Sequence, residues 1–195
     1  WTPIGTTRIA FEGVFNGNNA LIEIPEGGSP LFGRVRNCTV KNLQIHGTKI
    51  AGTGLINEYV LDSGQHNIAT IENVTLKSGT STLKSGFIGG YASGINNVVI
   101  RNCTVEENVV IGYDKDQSNI GSFGGDFNGS IINSKSAATV YGVNFVGGIV
   151  GSKGQSMGVF EVDGCTFTGI VEATGNYVGG IAGHGYAETQ WRNNA

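Results

Sequence analysis

Val146-Gly-Gly-Ile-Val-Gly151 returns almost unchanged as Val178-Gly-Gly-Ile-Ala-Gly183, and this repetition decides the fold. The shared element is a pair of apolar residues followed by glycine. Looser copies of it run through the chain at Leu31-Phe32-Gly33, Leu55-Ile56-Asn57, Phe87-Ile88-Gly89, Ser122-Phe123-Gly124, Ile149-Val150-Gly151 and Ile181-Ala182-Gly183. The copies are 24 to 35 residues apart, an interval typical of the repeat unit of a solenoid.

A second pattern lies between successive copies of the first. It starts at a turn-forming residue and continues with alternating inward and outward positions: Asn37-Cys38-Thr39-Val40, Asn73-Val74-Thr75-Leu76, Asn102-Cys103-Thr104-Val105, Asn133-Ser134-Lys135-Ser136 and Gly164-Cys165-Thr166-Phe167. Alternation with period two is typical of a strand with one buried face. Two patterns that follow each other in constant order indicate one structural unit, repeated.

These repeats predict an all-β chain, a right-handed parallel β-helix of about five to six coils, in a single domain over residues 1–195. No apolar stripe at helical spacing persists for three turns without a glycine, and the 33 glycines indicate many turns. A β-propeller blade would need about 40 to 45 residues. Because the chain begins at Trp1 and ends in a polar stretch, we expect a piece of a larger protein whose neighbouring domains cap the stack.

Stacking the second pattern predicts columns of equivalent side chains. The first inward column is Cys38, Val74, Cys103, Ser134 and Cys165. The second is Val40, Leu76, Val105, Ser136 and Phe167. The outward neighbours are Lys41, Lys77, Glu106, Ala137 and Thr168. A corner ladder is predicted for Asn37, Asn73, Asn102 and Asn133, because Asn tolerates unusual backbone angles and its amides bond along a stack.

Composition narrows the classes of partner. The net charge is −3 and charged residues make up 14% of the chain, which offers no broad basic surface to nucleic acid. No apolar run approaches the roughly 18 residues of a bilayer span, so we expect no membrane insertion. Coil spacing separates the three cysteines, and the chain lacks C-x-x-C and H-E-x-x-H. We therefore expect free buried thiols, no zinc site and no cofactor.

The candidate binding patch is acidic and consists of Glu106, Glu107, Asp114, Asp116 and Asp126. Asp114, Asp116 and Ser118 resemble the start of a Ca²⁺ loop, although the sixth position lacks Gly and the twelfth lacks Glu. The segment is therefore a weak Ca²⁺ candidate or a solvated loop. Hydrolysis of a sugar needs two carboxylates about 5 to 9.5 Å apart. The outer columns instead predict scattered ion pairs between coils, and no catalytic residue is assigned.

Aromatic and asparagine side chains give two further alternatives. Exposed aromatics could stack on sugar rings or cap corners, and the candidates are Tyr91, Tyr113, Tyr141, Tyr177, Tyr186 and Trp191. Asn-x-Ser/Thr triplets begin at Asn37, Asn73, Asn102 and Asn128. They would mark glycosylation in a eukaryotic secreted protein, but the ladder explains three of them without sugar.

The repeated glycine segments resemble the GLUG motif. Phe11-Glu-Gly-Val-Phe-Asn-Gly17, with Pro30-Leu-Phe-Gly33 and Val40-Lys-Asn-Leu43, resembles the coils that commonly precede it. The resemblance extends to about residue 185, and the copies at 55–57 and 122–124 depart from the motif through Asn57 and Ser122. It implies a large secreted or wall-anchored bacterial protein, such as an adhesin, a polysaccharide-active enzyme or an IgA-protease-type zinc metallopeptidase.

Three functions are compatible with the sequence. The first is a non-catalytic extracellular or cell-surface module for adhesion, ligand presentation or spacing, whose partner is a host or matrix glycan or protein. The second is a carbohydrate-active β-helix, either a lyase or a glycoside hydrolase. The third is the scaffold region of an IgA-protease-type metallopeptidase, in which the zinc helix lies elsewhere in the parent chain.

Overall fold

A computed structural model of the protein describes residues 2–6, 8–59, 68–89, 97–154, 160–185 and 190–195. Within these ranges every regular element is a β-strand. In chain order the strands are β1 (Phe11–Ile24), β2 (Phe32–Gly47), β3 (Ile56–Tyr59), β4 (Ile68–Leu76), β5 (Ser81–Thr82), β6 (Asn97–Arg101), β7 (Thr104–Val105), β8 (Val110–Ile111), β9 (Gly124–Phe127), β10 (Gly129–Ile132), β11 (Lys135–Ser136), β12 (Thr139–Gly142), β13 (Val146–Gly147), β14 (Val150–Lys153), β15 (Phe160–Asp163), β16 (Thr166–Phe167), β17 (Ile170–Ala173), β18 (Val178–Gly179), β19 (Ala182–His184) and β20 (Gln190–Arg192). None of the described segments forms a helix able to cross a bilayer.

Parallel pairing joins each coil to the next. Along the longest sheet the partners follow one another in the order Gly13, Cys38, Ala69, Val98, Gly129 and Phe160. Smaller sheets, β5-β8-β12-β17, β13-β18 and β9-β14-β19, stack beside it in the same parallel sense. The predicted all-β parallel β-helix is confirmed.

In successive coils, one residue with a left-handed backbone forms a corner between two parts of the long sheet. This corner column is Asn42 (φ 55°), Asn73 (φ 52°), Asn102 (φ 54°), Asn133 (φ 46°) and Gly164 (φ 61°). Asn and Gly are the residues that adopt this backbone most readily. The Asn73 Nδ2 donates to Asn42 Oδ1 at 3.1 Å, and the Asn42 Nδ2 donates to Asn16 Oδ1 at 3.1 Å. The predicted asparagine ladder is therefore present, but Asn42 takes the place predicted for Asn37.

The first copy of the second pattern was placed wrongly. The prediction set Cys38 against Val74, but Leu43 pairs with Val74 and Cys38 pairs with Ala69. Asn37 also has a left-handed backbone, with φ 45°, yet it lies five residues before the ladder residue of its coil. The strand β2 has 16 residues and contains two similar Asn-led segments, and the local sequence does not say which of them joins the ladder.

The predicted partners of Val40 and Lys41 are wrong for the same reason. Val40 pairs with Ile71, and Lys41 pairs with Glu72, so that Lys41 does not lie in the outward column of Lys77. For the second pattern, the predicted inward columns from Val74 to Phe167 are confirmed. In the second inward column, Leu76 pairs with Val105, Val105 with Ser136, and Ser136 with Phe167. The residues two positions earlier, Val74, Cys103, Ser134 and Cys165, follow the same register.

The first pattern also forms a column, with one shift. Its members pair in the order Phe32, Ile56, Ile88, Gly124, Val150 and Ala182. The prediction set Phe123 level with Ile88, whereas Gly124 pairs with Ile88. Phe123 therefore stacks on Phe87, with ring centroids 5.0 Å apart. Glycines on both sides of Ser122-Phe123 made two alignments equally good in the sequence.

Large apolar side chains fill the interior of the coils. Phe32, Phe87 and Phe123 have no solvent exposure. The three cysteines are free and buried, as predicted. Burial raises the pKa of Cys38 and of Cys103 to about 12 and that of Cys165 to about 11. The thiols are therefore packing groups that stay protonated at physiological pH.

Candidate functional site

Glu106 is held in an ion pair that links two coils. Its Oε1 lies 2.5 Å from Lys77 Nζ, and its Oε2 accepts a hydrogen bond from the Ser78 N–H at 2.9 Å. Burial alone would raise the pKa of Glu106, but the bonds from Lys77 and Ser78 and the Lys77 charge outweigh it, and the pKa lies below its ordinary value. Glu106 is therefore an ionised structural partner of Lys77, because a general acid would need a raised pKa.

Asp114 and Asp116 share one neighbour in an exposed turn. Gln117 Nε2 lies 3.3 Å from Asp114 Oδ2 and 2.5 Å from Asp116 Oδ1. Burial and the Asp116 carboxylate raise the pKa of Asp114. Ser118, the third Ca²⁺ candidate, accepts a hydrogen bond at Oγ from the Asn144 N–H at 3.2 Å. In the described part of the chain, no three His, Cys, Asp or Glu side chains are grouped to hold a metal ion.

Asp126 lies in a cavity that adjoins the Asp114–Asp116 turn through Gln117. The cavity has a volume of about 310 Å³ and is also lined by Lys84 and Ser118. Burial raises its pKa. The register stacks Asp126, Ser152 and His184 in one column of successive coils. Ser152 stands between the other two and donates its Oγ–H to Asn119 Oδ1 at 3.0 Å. In a catalytic triad the histidine stands between the acid and the serine, and here the order differs.

Glu107 faces a second and larger groove. The groove has a volume of about 480 Å³ and lies on the outer face of the long sheet. Thr104, Lys135 and Thr166 cross its floor in register, and Glu106 and Glu107 stand at one side. The five acidic candidates are thus distributed over this groove, the Asp114–Asp116 turn and the cavity of Asp126. The groove has a hydroxyl-rich floor with one lysine and one exposed glutamate.

Phe145, Tyr177 and His184 form an aromatic cluster at a corner of the stack. Asn119 holds the equivalent corner position one coil before Phe145. Register places Asn119, Phe145 and Tyr177 directly before Ile120, Val146 and Val178, which pair in that order. All three corner residues have left-handed backbones, with φ 57°, 56° and 63°. The Phe145 and Tyr177 rings are parallel within 2°, with centroids 4.8 Å apart. The His184 ring meets both edge-on, at 5.7 and 5.2 Å.

The corner stores backbone strain. A left-handed conformation at a bulky residue costs on the order of 1–3 kcal/mol, whereas an aromatic stack returns about 0.5–1.5 kcal/mol. Asn119 occupies the equivalent position at a lower conformational cost, because Asn adopts a left-handed backbone more readily. Tyr177 lies in the last of these coils, where Ile170 and Val178 are exposed as well.

No protein-family model, curated protein or solved structure matches this chain. The resemblance to GLUG repeats therefore stays a prediction. Of the predicted aromatics, Tyr91 and Tyr186 lie outside the described residues, as does the side chain of Trp191. Tyr141 is half-buried, and its ring lies 3.9 Å from Lys115 Nζ. Asn128 is buried, with 4% exposure, which leaves no room for a glycan.

Sequence reasoning missed Phe145 and His184. A signal for Phe145 was present, because an aromatic residue precedes Val-Gly-Gly-Ile in both repeats, at Phe145 and at Tyr177. No signal pointed to His184, which reaches the two rings only because coils stack. The candidate sites are therefore the groove beside Glu107 and the aromatic corner of Phe145, Tyr177 and His184.

Proposed function

We propose that this chain is a non-catalytic β-helix module of a bacterial secreted or cell-surface protein, and that it presents a binding surface or spaces its neighbours. The observation that carries the proposal is the unbroken parallel register from Gly13 to Phe160. Coils that each pair with the next form a stiff stack, which suits a stalk or a presenting surface. The GLUG resemblance supplies the bacterial, extracellular setting.

The charges on the outer surface support the same role. Ion pairs connect successive coils at Arg36–Glu12, Lys49–Glu26, Lys77–Glu106, Arg101–Glu72 and Arg192–Glu161. His46 Nδ1 and Glu23 Oε2 form a further contact between coils, at 2.7 Å. Exposed pairs of this kind contribute about 0–1 kcal/mol each. Carboxylates engaged in this way are not poised for proton transfer to a substrate.

Turnover on polysaccharides separates this proposal from a carbohydrate-active enzyme. The purified chain is incubated with neutral and uronic-acid polysaccharides, and new reducing ends and unsaturated products are measured. We expect neither product. Turnover that is lost in Glu107→Gln and kept in Glu172→Gln, an exposed carboxylate of β17, would make the groove beside Glu107 an active site and overturn the proposal.

A further inference from the structure

The cavity of Asp126 lies in the interior of the stack and not at one of its ends. Its volume is about 310 Å³. Ile56 pairs with Ile88, Ile88 with Gly124, and Gly124 with Val150, so that coils continue on both sides of the cavity. Its shape therefore does not depend on where the stack begins or ends.

Two charged side chains line this cavity and do not pair with each other. Asp126 is half-buried, and burial raises the pKa of its carboxyl. Among the residues that the structure describes, none forms a hydrogen bond or an ion pair with the Asp126 carboxylate or with the Lys84 ammonium. A half-buried carboxylate that lacks a partner costs stability. A charge held in this way in a cavity is typical of a binding site.

Two neutral groups of the cavity also have unused hydrogen-bonding capacity. Ser85 is 1% exposed, and its Oγ accepts a hydrogen bond from the Gly121 N–H at 3.2 Å. Within the described ranges, no acceptor meets the O–H of Ser85 and no donor meets Gln117 Oε1. Gln117 uses only its Nε2, which donates to Asp114 and Asp116. The cavity thus combines a buried donor with a free acceptor, and a buried hydroxyl without an acceptor is costly.

We infer that the cavity of Asp126 binds a small α-amino acid in its zwitterionic form. The ammonium group of such a ligand matches the Asp126 carboxylate and Gln117 Oε1, and its carboxylate matches the Lys84 ammonium and the Ser85 hydroxyl. The volume is at the lower end of ligand pockets, which hold about 300–1,000 Å³, so the ligand has a short side chain. The inference goes beyond the proposed function, which requires no small-molecule ligand.

The test uses the 195-residue chain with glycine, L-alanine and L-serine as probes. Acetate, methylammonium and glycerol are the contrasts, because each lacks one charge or both. Affinity is measured by calorimetry and by NMR titration. We expect each contrast, and the variants Asp126→Asn and Lys84→Met, to bind about tenfold more weakly or worse. The controls Glu172→Gln and Lys135→Met change charges outside the cavity and should leave binding of the amino acids within about twofold.

Thermal unfolding separates a ligand-binding carboxylate from a structural one. Because Asp126→Asn removes a charge without a partner, we expect the Tm of the free variant to be no lower than that of the wild type. Saturating L-alanine should raise the Tm of the wild type and not that of the variant. A free variant with a clearly lower Tm would make Asp126 a structural partner and overturn the inference.

The binding results decide the inference independently of the proposed function. If no amino acid binds, or if Asp126→Asn binds as tightly as the wild type, the cavity holds water alone, so that the inference is wrong while the proposed function stands. Should a variant not fold, the amide resonances of Ser85 and Gly125 in the wild type decide. Amides that do not shift when L-alanine binds contradict the inference.

Discussion

Because Asn73 has a left-handed backbone, we expect Gly to be tolerated better than Ala at this position, the reverse of the usual order in a strand. Asn73 has φ 52° and donates to Asn42. Asn73→Ala loses this bond, worth about 0.5–1 kcal/mol at an exposed position, and puts Ala into a conformation that costs it about 1–2 kcal/mol. Asn73→Gly loses the bond but has no such backbone strain. We therefore expect Asn73→Ala to be less stable than Asn73→Gly by about 1 kcal/mol.

Guanidinium unfolding followed by circular dichroism measures this order. In thermal unfolding, a difference of about 1 kcal/mol shifts Tm by about 2–4 °C in a chain of this size. Asn57 is the matched control, because it is exposed in β3 and its backbone is not left-handed. There the order should reverse, with Gly less stable than Ala by about 0.5–1 kcal/mol. An Asn73→Ala variant as stable as Asn73→Gly would refute the left-handed corner.

Three further predictions concern the core, the surface and one close backbone approach. We expect the native protein to react with a thiol reagent at pH 8 only as fast as it unfolds, because its thiols are buried: Cys38, Cys103 and Cys165. Glu106→Gln should lower stability at neutral pH by about 0.2–1 kcal/mol. The lowered pKa of Glu106 makes its contribution present above pH 4.5 and lost as pH falls further, so the two unfolding curves should converge in acid. Gly129→Ala should destabilise by on the order of 3 kcal/mol, because its Cβ would lie 2.0 Å from Val98 O at φ 136°. Gly27→Ala, with φ 69° and no atom within 4 Å, should cost about 1 kcal/mol.

Specific results would contradict each of these expectations. Rapid labelling of a thiol in the folded protein would place that cysteine outside the core. A stability difference between wild type and Glu106→Gln that widens in acid would mean that the carboxylate is destabilised by the fold. If Gly129→Ala and Gly27→Ala lower the free energy of unfolding in urea equally, the backbones of the neighbouring coils do not approach closely at Gly129.

The sequence predicted the fold class because the repeats carry both signals that a β-helix needs. Turn residues recur at a constant place, and inward residues alternate with outward ones beside them. From Val74 to Phe167 these signals were enough to give the register of the inward columns. Here one coil contains one Asn-led or Gly-led segment, and the stacking order follows directly.

The register failed in β2 for a local physical reason. Cys38 and Val40 point inward, as do Leu43 and Ile45, so alternation is equally satisfied by either pair. Asn37 is left-handed like the ladder residues, and the four residues that begin at Asn37 are identical to those that begin at Asn102. Only the pairing with β4, which sets Leu43 level with Val74, distinguishes the two segments.

The candidate site was less predictable than the fold. The acidic residues were chosen for their chemistry, and nothing in their spacing reported which face of a coil each one occupies. The aromatic corner depends on two coils placing their rings within 4.8 Å of each other, and on a histidine from a neighbouring column. Contacts of this kind arise from stacking and are visible only when the register is known.

The register between β2 and β4 is tested most directly by disulfide formation. Gln44 pairs with Thr75, and paired strands lie about 4.8 Å apart, which suits a disulfide. Thr39 pairs with Thr70, which puts it five residues and about 16 Å along the strand from Thr75. After mild oxidation, peptide mass spectrometry should find the bond in Gln44→Cys/Thr75→Cys and not in Thr39→Cys/Thr75→Cys. The opposite result would contradict the stack of coils described for this protein.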